Sequence, residues 1–269
     1  MQSFRWPALA GLFLAIGVVA ATADPDFSSF SHDDALAYSQ GAIGSTVHGI
    51  ELIGTDGSLV SLEDYRGKPL VISMIFTSCH HICPTTTQHL QQVARKAWDV
   101  LDDDSFALVS VGFDTAKDDP LRMAQFRTST GATDEHWDFL SGDAANMDKL
   151  VRQLGFIYTP SASGFDHLIQ SSVIDADGVI YRQVYGISFP TPQLIEPLKE
   201  LVFNKPKSHS TLDYLGGRIR LFCTVYDPAT DSYYVDVSVF IGTFVGLLVS
   251  LVFGRVLFKE WRRSLKADR

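Results

Sequence analysis

The chain has 269 residues, a formal net charge of −9 and a sequence pI near 5.3. An acidic surface disfavours nucleic acid, because phosphate contacts require basic patches, and it suits partners that are proteins or cations. Three cysteines are too few for a small exported scaffold that is held together by disulfides. The length predicts one domain of about 210 residues with a sizeable core, flanked by two terminal segments.

The first 23 residues are typical of a secretory signal. A single arginine, Arg5, precedes an apolar run that ends in the small-residue sequence ATA before an acidic stretch. We therefore expect cleavage after residue 23, and the alternative is an uncleaved N-terminal anchor. Residues 24–46 show no strong pattern, and we interpret them as a loose lead-in to the domain.

The C-terminal segment is typical of a single membrane-spanning helix. Residues 237–253 contain no charged residue, and the apolar stretch continues to Phe258. At 1.5 Å per residue, roughly 20 residues cross a bilayer core of about 30 Å. We predict a transmembrane helix over residues 236–258. The lysines and arginines of residues 259–269 then form a cytoplasmic tail, which places the domain on the periplasmic side of the inner membrane. A buried core helix, the alternative, does not explain the basic tail.

Between these ends, apolar runs alternate with helical periods. Residues 68–76 and 106–114 are continuous apolar runs, as in strands that are buried on both faces. Amphipathic helices follow each run, a β-hairpin precedes the first, and a second hairpin turns at residues 175–178. This order predicts an α/β sheet. We assign residues 47–203 to a thioredoxin-like domain with an N-terminal β-hairpin, because a dithiol follows a central strand. Residues 204–235 form an extension that contains Cys223.

The sequence FTSCHHICPTTTQHL, residues 76–90, carries Cys79 and Cys83 at the start of a predicted helix. Positions i and i+4 lie on one helix face, so the two sulfur atoms can form a disulfide or bind one ion, and the spacing allows both. The helix dipole stabilises a thiolate there, so we expect a lowered pKa for the thiol nearer the exposed end of the loop. Two thiolates with one imidazole suit copper better than structural zinc, which requires four ligands.

These motifs resemble the SCO/SenC family, the copper chaperones of cytochrome c oxidase assembly. The sequence FTSCHHICPTT resembles the family pattern F-x-x-C-x-x-x-C-P-T, and GKPLVISMIFTSC, ALVSVGFDTAKDDP and FDHLIQSSVIDADGVI resemble three further family segments. The likeness covers about residues 45–203. Some relatives also carry a Cys-x-x-Tyr-Asp-Pro-x-Thr segment before a C-terminal helix, as this chain does from Cys223.

The resemblance implies that Cys79, Cys83 and His167 bind a copper ion, Cu(I) or Cu(II), and that Asp118 is an acid near the site. It also implies two protein partners, a copper donor and the copper-centre subunit of a haem-copper oxidase. The chain departs from the family where D-T-A-K-D-D replaces D-P-x-x-D-T and where a leucine follows His167. The adjacent imidazoles in the CHHIC loop are interpreted as solvated or partner-facing side chains.

Two other functions stay open at this point. A thiol-disulfide oxidoreductase would act on exported proteins through Cys79 and Cys83 without copper. A redox sensor would use one peroxidatic cysteine and would tolerate the loss of Cys83. His167 separates the first function from the copper chaperone, because thiol-disulfide exchange does not require this imidazole.

Overall fold

The computed structural model describes residues 31–204, 224–228, 231–235 and 238–267. The predicted signal segment, Cys223 and the last two residues of the basic tail lie outside these ranges. The α-helices are α1 His32–Gly41, α2 Ile82–Leu101, α3 Pro120–Thr130, α4 Ala144–Leu154, α5 Pro192–Asn204 and α6 Ser238–Ala267.

The strands form one large sheet and two separate hairpins. They are β1 Glu51–Gly54, β2 Leu59–Ser61, β3 Leu70–Ile75, β4 Ala107–Gly112, β5 Trp137–Ser141, β6 Tyr158–Ser161, β7 Gly164–His167, β8 Gln170–Ile174, β9 Ile180–Tyr185, β10 Thr224–Asp227 and β11 Ser232–Val235. The seven-stranded sheet has the order β2-β1-β5-β4-β3-β8-β9, and the pairs β6–β7 and β10–β11 stand apart from it.

The centre of the sheet is the pair β3 and β4, in which every residue is buried. The two strands run parallel, with Leu70 opposite Ala107 and Ile75 opposite Gly112. β5 continues the parallel arrangement, whereas β8 pairs antiparallel with β3 on the other side. Continuous apolar sequence is what such doubly covered strands require. The α/β class that the sequence predicts is confirmed.

α2 follows β3 directly and packs against α3 and α5. Its buried side chains recur at helical spacing and include Leu90, Val93, Ala94, Ala97 and Leu101. β1 and β2 pair antiparallel at the far edge of the sheet, with Glu51 opposite Ser61. The first residues of α2 therefore lie near the carboxyl end of β3, an interior strand, where α/β sheets commonly place their ligand sites.

The interpretation of residues 24–46 as a loose lead-in was wrong for α1. Ser31 caps this helix by accepting a hydrogen bond from the Asp34 backbone N–H at 3.4 Å. The helix buries Ala35 and Ser39, and the Ser39 hydroxyl lies 2.8 Å from the Tyr185 hydroxyl. Because the buried side chains of α1 are small, the sequence shows no apolar residues at helical spacing. The usual pattern that predicts an amphipathic helix is therefore missing.

The hairpin β6–β7 was also not predicted. Its register pairs Tyr158 with His167, so the imidazole comes from the end of this small hairpin rather than from the start of the β8–β9 hairpin. Gly164 at its turn has φ +113, and a Cβ there would lie 3.0 Å from the Phe76 ring. Glycine is needed at this position because it permits both the backbone conformation and the close approach.

The C-terminal helix α6 contains one stretch, Ile241–Lys259, that is long and apolar enough to cross a bilayer by length and composition. Its mean hydropathy is 2.1, and none of this stretch is buried against the rest of the chain. Before it, Lys96 on α2 contacts Asp231 beside β11, with Nζ 2.6 Å from the carboxylate oxygen. The C-terminal region therefore has a polar contact with the domain.

We expect Gly112→Ala to destabilise the protein at the site end of β4. An added Cβ would lie 2.6 Å from the Cβ of Asp118 and 2.7 Å from the sulfur of Met123, and both neighbours are buried. Overpacking of this kind costs about 1–3 kcal/mol. Urea unfolding followed by circular dichroism should give a lower midpoint. Gly41→Ala is the matched control, because its Cβ meets nothing within 4 Å. Equal midpoints for the two variants would contradict the packing.

Candidate metal and redox site

Cys79 and Cys83 lie at the junction between β3 and α2. The Cys79 backbone N–H donates to the Phe76 carbonyl at 3.1 Å, which turns the chain out of the sheet. The Cys83 backbone N–H then donates to the Cys79 sulfur at 3.2 Å. Both thiols are free, Cys79 is half-buried, and Cys83 is only 3% exposed. The pair is therefore a reduced dithiol with one accessible and one covered sulfur atom.

The two thiols have opposite shifts in pKa. The hydrogen bond from the Cys83 thiol, assisted by the backbone N–H groups of Cys83, His81 and Ile82, lowers the pKa of Cys79 to about 5. The same thiol–thiol hydrogen bond, together with burial, raises the pKa of Cys83 above its ordinary value. Near neutral pH, Cys79 is a thiolate that accepts a hydrogen bond from the Cys83 thiol. The lowered pKa falls on the more exposed thiol, as the sequence predicts.

His167 ends β7 and presents one nitrogen to a backbone carbonyl. Its Nδ1 lies 2.7 Å from the Leu168 carbonyl oxygen. Because a carbonyl can only accept, Nδ1 carries the proton and Nε2 keeps its lone pair. Burial lowers the pKa of this imidazole. A neutral ring whose second nitrogen is fixed by a hydrogen bond is the form in which histidine binds metals.

Aromatic rings surround His167. The centroids of Phe113, Phe156 and Phe76 lie 5.3, 5.5 and 6.0 Å from the imidazole centroid. Phe165, two residues before His167, stands 5.4 Å from both Phe76 and Phe113. These contacts attach the small hairpin to the end of the sheet. Sequence reasoning did not find this cluster, because its members read as ordinary core residues in separate segments.

Cys79 and His167 line the same pocket, which has a volume of about 290 Å³. Its other lining residues are Phe76, Ile82, Ser163, Phe165, Asp166 and Ile169. Cys83 is not part of this lining. In the described ranges, no three histidine, cysteine, aspartate or glutamate side chains form a ready-made metal cluster. The structure thus brings Cys79 and His167 to one pocket, whereas Cys83 is buried next to Cys79 and outside the pocket lining.

Asp118 is buried and organises the loop that leads to Cys79. Its carboxylate accepts hydrogen bonds from the Thr77 backbone N–H at 2.9 Å and from the Thr77 hydroxyl at 2.6 Å. The Asp114 backbone N–H donates to the second oxygen at 2.9 Å. Burial raises the pKa of Asp118. These contacts make Asp118 a positioning group between the β3 and β4 loops, and its oxygens are occupied by hydrogen-bond donors.

Comparison with known proteins adds a family. The sequence model of SCO1/SenC matches residues 44–202, which is more than half of the chain. This protein belongs to the SCO1/SenC family. A SCO1 protein homolog of Bacillus subtilis (strain 168) is 25% identical over 149 residues, which cover 54% of this chain and 76% of the relative.

Solved structures of Sco proteins have the same fold. BsSco, described as having a disulfide switch and as a member of the Sco family of cytochrome c oxidase assembly proteins, is 22% identical with a TM-score of 0.54. That match covers 60% of this chain and 96% of BsSco. Copper-bound ScoI of Arabidopsis thaliana is 20% identical with a TM-score of 0.50, over 59% of this chain and 97% of that one. The predicted thioredoxin-like α/β fold is confirmed.

The thiol asymmetry predicts a titration near pH 5. In a chain with Cys223→Ser, the ultraviolet absorbance of the Cys79 thiolate should appear with a midpoint at about 5. Cys83→Ala removes the strongest hydrogen bond to that sulfur and should move the midpoint upward. Cys83→Ser is the matched control, because its hydroxyl still donates. A midpoint near the ordinary value of 9.0 in the Cys83→Ser and unaltered chains would contradict this account.

Asp118→Asn should loosen the loop before Cys79. An amide nitrogen cannot accept, so one of the three N–H or O–H donors that now face the carboxylate loses its partner. A buried donor without an acceptor costs about 1–3 kcal/mol. Urea unfolding should register that loss, and Asp103→Asn, at an exposed carboxylate in the turn before β4, is the control. Equal unfolding midpoints for both variants would show that the Asp118 contacts contribute nothing.

Proposed function

We propose that this protein is a membrane-anchored copper chaperone on the periplasmic side of the inner membrane. It binds copper through Cys79, Cys83 and His167 and delivers the ion to the binuclear copper centre of a haem-copper oxidase. The Sco family takes part in copper delivery for cytochrome c oxidase assembly. The observation that carries the proposal is the common pocket of Cys79 and His167, with a thiolate and an imidazole lone pair available in it.

The donor set suits copper in physical terms. Thiolates are soft ligands and imidazole is a good copper ligand, so two sulfurs with one nitrogen hold Cu(I) or Cu(II). A set of three protein ligands leaves one side of the ion open to an incoming ligand from the recipient. In this proposal copper is cargo, and incomplete coordination lets the recipient displace the chaperone's ligands one after another.

Copper binding requires a local rearrangement of the dithiol. The Cys83 sulfur is covered and its thiol donates to Cys79, so it must lose its proton and turn toward the pocket before it can bind the ion. Only a modest change in the distance between the two sulfurs is needed, since the Cys83 backbone N–H already donates to the Cys79 sulfur at 3.2 Å. Metal binding that releases a thiol proton becomes tighter as pH rises.

A second activity, thiol-disulfide reduction, is favoured by the same thiol asymmetry. An exposed thiolate with a covered partner thiol is the arrangement of a dithiol reductant, in which Cys79 attacks a target disulfide and Cys83 resolves the mixed disulfide. The two electrons pass from the dithiol to the target, which leaves a Cys79–Cys83 disulfide here and two thiols there. We infer that such reduction prepares the cysteines of the copper recipient.

The anchoring part of the proposal rests on α6. Its apolar stretch is exposed along its length, which suits a lipid environment, and basic residues follow it. By the positive-inside rule, these basic residues stay in the cytoplasm. The domain at the other end of the helix then lies on the periplasmic side. The signal at residues 1–23, the extension at 204–235 with Cys223 and the tail at 259–269 belong to the same proposal.

His167→Ala separates the copper function from the dithiol function. Loss of a group that only contacts a metal ligand lowers metal affinity by about 10- to 100-fold. His167 is proposed as a ligand itself, so in the full-length chain in detergent we expect copper affinity to fall by about two orders of magnitude or more. Reduction of a model disulfide should continue at the original rate, since the exchange uses only the two thiols. Competition with a coloured copper chelator and a thiol-exchange assay measure the two activities.

The control for this experiment is His32→Ala, at the first position of α1 and remote from the dithiol in the sequence. It should leave both activities unchanged. Unaltered copper affinity in the His167 variant would refute the proposed ligand set. Loss of both activities, with circular dichroism unchanged, would mean that His167 serves the dithiol rather than copper.

A further inference from the structure

The pocket beside the dithiol has apolar walls in addition to its reactive groups. Four of its eight lining residues are Phe76, Ile82, Phe165 and Ile169. Phe165 stands edge-on to Phe76, with ring centroids 5.4 Å apart and an interplanar angle of 80°. Ile169 is fixed through its carbonyl, which accepts a hydrogen bond from the Gly186 backbone N–H at 2.9 Å. The walls are therefore held in place by packing and backbone contacts within the chain, as is usual for a binding pocket.

Ile82 places an apolar side chain directly beside the reactive sulfur. Its backbone N–H is one of the hydrogen-bond donors to Cys79, so the two residues are in contact. Ile82 lies in the first turn of α2 and is 44% exposed, although it lines the pocket. The core of the domain thus leaves this side chain partly uncovered next to the sulfur. A substrate side chain packed against it would remove apolar surface from water, which is favourable.

The charges around the pocket disfavour an acidic substrate. Near neutral pH, Cys79 is a thiolate, and Asp166 in the lining adds a carboxylate. His167 supplies no positive charge, because burial lowers its pKa. Within the described part of the chain, no lysine or arginine lines this pocket. A negative group that entered it would therefore lose water without gaining a countercharge, which is costly.

The size of the pocket limits what it can take. Its volume of about 290 Å³ lies just below the range of about 300–1,000 Å³ that is common for small-molecule sites, so it suits one or two side chains. We propose that it is a substrate-recognition subsite, which binds an apolar side chain next to the target cysteine of a partner polypeptide. This inference rests on the proposed reduction of the recipient's cysteines. The substrate class is a protein disulfide flanked by apolar residues rather than by acidic ones.

The bound apolar side chain brings the target sulfur to Cys79. The Cys79 thiolate forms a bond to that sulfur as the target S–S bond breaks, and the leaving sulfur takes a proton from water. The Cys83 thiol then gives its proton to the buffer and attacks Cys79, which releases the second target sulfur. Two electrons pass from the dithiol to the target, and no other reductant is needed. The subsite acts through the residue beside the sulfur, so it determines which disulfide reacts.

The test uses the reduced full-length chain with Cys223→Ser in detergent and three peptides of the form Ac-X-Cys-X-NH2. X is leucine, asparagine or aspartate, which are similar in size and differ in polarity and charge. Each peptide cysteine is a mixed disulfide with 2-thiopyridine, and stopped-flow absorbance of the released pyridinethione gives the rate of attack. Dividing by the rate of the same peptide with 2-mercaptoethanol removes differences in intrinsic reactivity. We expect the leucine peptide to react about tenfold faster than the asparagine peptide, the lower end of the discrimination of apolar pockets, and the aspartate peptide to be slowest.

Ile82→Thr keeps the backbone N–H and the branched shape but makes this wall polar. We expect it to lower the leucine-to-asparagine ratio about fourfold, the effect of about one buried methylene group. Both peptides meet the same Cys79 thiolate, so the ratio does not depend on any change in the reactivity of that sulfur. Ile169→Thr alters another wall of the pocket and should lower the ratio in the same direction.

Ile43→Thr is the matched control, because Ile43 is 39% exposed and lies outside the pocket lining. The next residue, Gly44, donates to the carbonyl of Ile180, which begins β9 beside the amino end of β3. The control therefore alters the opposite end of the sheet and should leave the ratio unchanged.

A leucine-to-asparagine ratio near one in the unaltered chain would overturn the subsite. An unchanged ratio in both wall variants would overturn it as well, and so would an aspartate peptide that reacts as fast as the leucine peptide. Failure of the unaltered chain to release pyridinethione from any peptide would instead refute the proposed reduction itself.

Discussion

The central position of β3 is the constraint on which the site depends. This strand is paired on both sides, parallel to β4 and antiparallel to β8, and all of its residues are buried. Its carboxyl end must therefore leave the sheet at a fixed point, next to the carboxyl end of β4. The dithiol loop comes from the first of these ends and the Asp114–Asp118 loop from the second. The hydrogen bonds between Thr77 and Asp118 join the two loops.

The thiol asymmetry follows from this placement. Because α2 starts where β3 ends, the N–H groups of its first turn point at Cys79, and Cys83 in that turn is packed into the core. One sulfur is therefore stabilised as an anion and the other is held protonated, although they are only four residues apart. Both a nucleophile for disulfides and a first ligand for copper need the anionic form, so the same local structure would serve the two proposed chemistries.

The parts of the site that the sequence predicts well are those set by local pattern. The apolar runs predict β3 and β4, and the position of Cys79 and Cys83 before a helical period predicts the dithiol at a helix N-terminus with its lowered pKa. The origin of His167 in the separate β6–β7 hairpin could not be predicted, because those strands contain glycine, serine and proline and pair only with each other. α1 was not predicted for a related reason, since its buried face consists of small side chains. Long-range packing accounts for the rest, because only the folded sheet brings the rings of Phe76, Phe113 and Phe156 around His167.

The free dithiol and the proposed copper-bound state differ in one proton and one hydrogen bond. In the reduced protein the Cys83 proton lies between the two sulfurs and stabilises the Cys79 thiolate. In the proposed copper-bound state the ion would take the place of this proton, and its positive charge would stabilise both thiolates. The proton and the metal would therefore compete for the two sulfurs, and the buried Cys83 would become charged only when copper is present to compensate that charge. His167, which burial keeps neutral while its hydrogen bond to Leu168 fixes the proton on Nδ1, would add a ligand without adding a proton to that competition.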